Sequence, residues 1–134
     1  MSDIPRELDW VSERAKCDIK SAFELLRQAV EKDVERYKAL PGFRGQIEFS
    51  SDPDWLFSVS RRSNITMVAV FNRVNDHIEI TFPAQTQPPL KAVPVLTETG
   101  CWKFRIDGQE GEPLFDWQLR RCVLEPLLFP NQGA

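Results

Sequence analysis

His77 is the only histidine of the chain, and Glu79 follows it by two residues. On an extended strand that spacing puts both side chains on one face, adjacent along the backbone. Glu48 and Arg105 occupy polar phases of other alternating segments, as does Lys103. A histidine acid, a glutamate base and arginines on one antiparallel sheet face could cleave RNA by proton transfer with phosphate stabilisation. Helix followed by meander is also the element order of small microbial ribonucleases, a likeness of architecture alone. Against this reading, solvated sheet faces commonly pair glutamates with lysines or arginines across strands. The chain also has 17 Lys and Arg against 20 Asp and Glu, a net charge of −3 that repels a polyanion. The catalytic set His77, Glu79, Glu48 and Arg105 is therefore the weaker alternative, and nucleic acid is a disfavoured partner.

A second group is basic. Arg61-Arg62 stands with Ser63-Asn64 between two alternating segments, and Arg44 precedes the first of them. Brought together, these guanidinium groups could hold a phosphate or carboxylate through paired hydrogen bonds. A polar loop that is simply solvated explains the same residues. A third group is apolar surplus. Trp10 lies beside Val11 on a segment whose apolar stripe is out of phase with the helix after it, and Val68 and Val70 stand on the polar phase of their strand. Such residues suit contacts outside the domain's own core, with a twofold copy or another protein. Trp55, Trp102 and Trp117 fall on apolar phases and read as core.

Signatures of other chemistry are missing: there is no Gly-rich phosphate loop, H-E-x-x-H, zinc-type Cys/His spacing or G-x-S-x-G elbow. No cofactor or metal is expected, and Asp52-Pro53-Asp54 reads as a turn. Cys17, Cys101 and Cys122 are odd in number and widely spaced, which predicts reduced, mostly buried thiols. The longest apolar run, Met67 to Phe71, is far below the ~20 residues of a membrane helix. The acidic first ten residues do not form a targeting peptide, so a cytoplasmic protein with no membrane partner is expected.

The elements that must position these residues follow from spacing. Residues 5–40 read as helix, with the stripe Ile19, Phe23, Leu26, Val30, Val34, Tyr37, Leu40 at steps of three and four. A break near Cys17 is expected because one rod of 35 residues would reach about 52 Å. Asp18 with Ser21, or the capping box Ser21-x-x-Glu24, would open the second piece. Pro41-Gly42 stops the helix. Beyond Gly45 the period becomes two: Ile47 and Phe49; Trp55, Phe57 and Val59; Ile78, Ile80 and Phe82; Trp102, Phe104 and Ile106.

The segment 65–73 is apolar at both phases, as in a central strand covered on both sides. Either the C-terminal helix or a second copy would supply the second cover, over Val68 and Val70. Asn75-Asp76 makes a tight turn, and the prolines of 83–89 forbid ladder pairing. Pro94 marks an edge or irregular strand. Pro113 opens a last helix, with Phe115, Leu119, Cys122 and Val123 on one face, and Pro126 ends it near Leu124.

The fold class is α+β: a long N-terminal helix on a five- to six-stranded, mostly antiparallel meander sheet, followed by a C-terminal helix. One domain, 1–134, is expected, with 1–17 free to make external contacts. The leading reading is a non-catalytic, self-associating protein-interaction module whose partner surface includes Trp10, Arg44, Arg61, Arg62, Val68 and Val70. A small-ligand site between helix and sheet with an arginine at its mouth is the alternative. The ribonuclease-like enzyme using His77 and Glu79 comes after it.

Overall fold

The computed structural model describes residues 9–42, 46–51, 53–62, 66–83, 88–109 and 111–129. Helices α1 (Trp10–Ala15) and α2 (Ile19–Lys38) lead into strands β1 (Gln46–Ser51), β2 (Leu56–Arg62), β3 (Met67–Val74), β4 (His77–Thr81), β5 (Leu90–Leu96) and β6 (Trp102–Ile106), and helix α3 (Asp116–Leu128) follows. The six strands lie in sequence order and every adjacent pair is antiparallel. This is the expected α+β helix–meander–helix arrangement. Among the described residues, no helix is long and apolar enough to cross a membrane.

The helical segment breaks where expected. The Asp18 carboxylate accepts from the Ser21 amide, so Asp18 caps α2 and the Ser21-x-x-Glu24 box is not used. Asp9 caps α1 in the same way through Ser12. Helix α1 buries no residue of its own; the Glu13 carboxylate ties it to the sheet by accepting from the Trp102 amide at 3.2 Å.

Strict alternation sends one phase of every strand to a shared inner face. Phe57 pairs with Phe71, Phe71 with Ile80, Ile78 with Ala92, and Ala92 with Ile106 across the ladder. The rings of Phe57 and Phe71 stack with centroids 4.4 Å apart, and Phe23 from α2 tilts onto Phe57 at 5.1 Å. Leu119, Val123, Leu124, Leu127 and Leu128 of α3 enter the same cluster as Phe23, Leu26, Val30 and Val34 of α2. Both helices therefore cover one face, and the C-terminal helix does not cover Val68 and Val70 as one of the two expected second covers.

Several local expectations are corrected. Helix α3 starts at Asp116 rather than Pro113, because Leu114 forms a bridge with Phe104 and holds the preceding chain extended. Phe115 has no side-chain acceptor, but its amide N–H donates to the Gln118 side chain at 2.8 Å. The helix also runs through Pro126 to Leu128. A mid-helix proline removes one backbone donor and crowds the turn before it; the burial of Leu127 and Leu128 in the core outweighs that cost here.

Pro94 is buried in a strand that lies inside the sheet order. Pairing with β4 covers only Leu90, Lys91 and Ala92, so Pro94 stands beyond it with β6 alone beside it. At β3–β4, Asn75 adopts φ +50°, which the tight turn requires. The thiols are free, but Cys17 and Cys101 are half-buried and Cys122 is exposed. Cys122 sits one step off the buried stripe of α3, and exposed Phe115, at the N-cap before the helix, lies beneath the Lys103 ammonium at 4.3 Å.

Because Phe57 contacts three other rings, its removal leaves a cavity no single neighbour can close. Phe57→Ala is expected to lower unfolding stability by about 3–5 kcal/mol, read from urea denaturation. A loss below about 1 kcal/mol would show that this ring stack is not central to the core.

Candidate functional site

The outward phase of the sheet holds most residues that the sequence singles out. Across β1, β2 and β3 one row reads Glu48, Ser60, Val68. The next row reads Ser50, Ser58, Val70, Thr81, and another Leu56, Asn72, Glu79, Lys91. Among the described residues no helix lies over these rows, and Val68 and Val70 remain half-buried among serine and threonine side chains.

His77 and Glu79 meet as the spacing requires: His77 Nε2 is 3.8 Å from Glu79 Oε2, and Nδ1 is 3.3 Å from Asp76 Oδ1. The His77 side chain is only 17% exposed. Its Nε2 and the nearby Asn72 Oδ1 are buried without a hydrogen-bond partner among the described residues. Glu48 does not join them. It lies three strands from Glu79, about 14 Å at ~4.8 Å per strand, and its carboxylate is 3.8 Å from Arg62. Arg105 stands two strands from His77 and is 3.6 Å from Asp107. The four-residue acid–base set is thus a pair plus two separate residues. Among the described residues, no three His, Cys, Asp or Glu side chains group so as to hold a metal ion.

The basic group also divides. Arg62 points outward with Glu48, whereas Arg61 is on the inner phase, paired between Ile47 and Met67. Its Nη1 donates to the Tyr37 hydroxyl and to the Leu128 carbonyl, each at 3.2 Å. The guanidinium therefore joins α2, α3 and the sheet, and its Nε is buried without a hydrogen-bond partner among the described residues. Arg44 lies outside the described residues.

One concave feature lies along the two helices and is missed by the sequence reading. Between the last two turns of α2 and the outer side of α3 runs an open groove of about 440 Å³. Its floor is Leu124 and Leu128. Tyr37, Leu40, Trp117 and Phe129 form the walls, and Arg36, Arg121 and Glu125 stand at the rim. Tyr37 meets Phe129 edge-on, with ring centroids 5.2 Å apart. Trp117, expected in the core, is 53% exposed, and Trp55 likewise lies outside it. The reason for Trp117 is geometric: the buried stripe of α3 runs through Leu119, Val123 and Leu127, which leaves position 117 on the flank. The available signal was the i, i+3, i+4, i+7 spacing of Trp117, Arg120, Arg121 and Leu124, which marks a second helix face.

One end of the groove is closed by ion pairs. Arg120 reaches Asp33 on α2 at 2.6 Å and Asp116 on its own helix at 3.2 Å. Two carboxylates thus share one guanidinium in a largely buried place. Burial pushes the Asp116 carboxyl above the ordinary aspartate value of 3.8; Arg120 opposes this, and Asp33 adds to the rise.

The folded state therefore holds the Asp116 proton more tightly than the unfolded chain does. The stability this contributes is fully present below pH 3.8 and is lost as pH climbs through the raised folded value. Asp116→Asn is expected to remove that slope, so urea denaturation across a pH series should show the wild type losing stability relative to the variant as pH rises. Arg120→Ala at neutral pH should cost about 1–3 kcal/mol, and less once Asp116 is protonated. Parallel profiles of wild type and Asp116→Asn would contradict the burial of this group.

Compared with protein-family models, with curated proteins and with solved structures, the chain matches none.

Proposed function

We propose that the chain is a non-catalytic protein-interaction module that associates with itself. The single observation behind this reading is the one-sided cover of the sheet. Helices α2 and α3 share the inner face, while the central strand β3 carries half-buried Val68 and Val70 on the outer face with no helix above them among the described residues. Small and β-branched side chains make that surface low in relief, as suits a second sheet packed face to face at about 10 Å. Glu48, Arg62, Lys91 and Arg105 stand toward its margins, where charges set register more than affinity. Trp10, 61% exposed on a helix that buries nothing, is a second surface suited to a partner.

The small-ligand reading is favoured by a different observation, the groove between α2 and α3. Its volume falls within the range of ligand sites, and the Arg36 guanidinium at its rim is 78% exposed. This site lies between helices rather than between helix and sheet. The layer expected to hold a ligand is occupied by Phe23, Phe57, Phe71 and Phe104.

Sedimentation equilibrium over a concentration series tests self-association. Val68→Glu/Val70→Glu places charge at the centre of the outer face without touching the core, so the fold should persist by circular dichroism. The double variant is expected to dimerise at least 10-fold more weakly than the wild type. A wild type that stays monomeric at every concentration overturns the self-association.

A further inference from the structure

We propose that the groove between α2 and α3 of one copy receives Trp10 and Val11 of a second copy, in a reciprocal exchange; this rests on the self-association proposed above and adds a contact separate from the outer sheet face. Trp10 and Val11 are adjacent, 61% and 60% exposed, and belong to a helix with no buried residue. A tryptophan placed so is a ready anchor, because aromatic side chains seated in pockets carry much of an interface's affinity. The chain also presents a matching recess. The groove measures about 440 Å³, has an apolar floor at Leu124 and Leu128, and has Trp117 and Phe129 as exposed walls. An indole and an isopropyl group fit within such a space, and the wall rings allow edge-to-face contact.

The charges agree. Asp9 and Arg14 flank the Trp10–Val11 pair, and both are exposed. Arg36 of α2 and Glu125 of α3 both line the groove, and Glu125 is already paired with Arg121 at 2.9 Å. Asp9 can therefore meet Arg36. Arg36 is available for this: its closest carboxylate, Asp33, is 3.9 Å away and is engaged by Arg120 at 2.6 Å.

The occupant must come from another molecule. Three residues join α1 to the start of α2, and α1 is fastened to β6 through Glu13 and Trp102. The groove begins at Asp33, fourteen residues into α2, about 21 Å along its axis at 1.5 Å per residue. A chain's own Trp10 cannot span that length with α1 held in place. A twofold axis lets each copy give its tryptophan and receive its partner's, which closes the assembly as a dimer.

Sedimentation equilibrium on Trp10→Ala, Trp117→Ala and their equimolar mixture provides the test. Each single variant is expected to dimerise roughly 100-fold more weakly or worse, since both copies of the contact are damaged. The mixture should form heterodimers more tightly than either variant alone, because the Trp117→Ala chain still supplies Trp10 to the intact groove of the Trp10→Ala chain. Misfolding of either variant cannot produce that rescue. Unchanged dimerisation in Trp10→Ala, with loss in Val68→Glu/Val70→Glu, overturns the exchange while leaving self-association standing. A monomeric wild type overturns both, and equal weakening without rescue in the mixture overturns the exchange.

Discussion

The structure depends on where two helices go. A six-stranded antiparallel sheet has two faces, and the chain sends the heavy phase of every strand to one of them. Helices α2 and α3 must both lie there, because their buried stripes have nowhere else to remove comparable apolar area from water. Space on that face is limited, so the helices meet each other as well as the sheet. Arg61 rises between them from β2 to the Tyr37 hydroxyl and the Leu128 carbonyl, and Arg120 joins Asp33 to Asp116. These polar links lie along the seam between two helices that each also need the sheet.

Two consequences follow from the crowding of one face. Among the described residues no helix covers the outer face, and its central strand retains Val68 and Val70 among Ser58, Ser60 and Thr81. An antiparallel sheet tolerates such exposure when the phase is small or polar, as here. The paired helices also cannot close their outer seam completely. Trp117, Tyr37 and Phe129 stand along it, too large to be absorbed by a core already occupied by Leu124 and Leu128. Both candidate surfaces are thus products of the same packing decision rather than separate additions to the fold.

Much of the fold is legible in the residues because it rests on periodicity. The steps of three and four from Ile19 to Val34 gave the buried side of α2, and the steps of two placed Phe57, Phe71, Ile80 and Phe104 inside. What periodicity lacks is the competition between neighbouring elements. The N–H-deficient Pro126 reads as a stop, yet burial of Leu127 and Leu128 carries the helix past it. Pro113 reads as a start, yet the Phe104–Leu114 bridge claims the next residues for the sheet. For the site, adjacency within one strand was readable: His77 and Glu79 meet. Convergence between strands was not, since the offset of Glu48 from Glu79 depends on ladder register, and register is fixed by the whole set of turns. The groove was hidden for the same reason, since it exists only where α2 and α3 come together.

Helix α1 shows how a weak element can matter to a partner more than to its own chain. Its cap, its Lys16–Glu13 pair and the Glu13 bond to Trp102 hold it in place. None of these removes apolar surface from water. Trp10 and Val11 consequently add nothing to the core and keep their burial energy available for an intermolecular contact. The six-residue length matters here. A longer helix would have to bury a stripe to persist, whereas one turn and a half, held by capping and a single side-chain bond, can present its apolar side outward. The break at Lys16–Asp18 therefore does more than shorten a rod: it separates a helix that builds the core from one whose apolar residues remain on the surface.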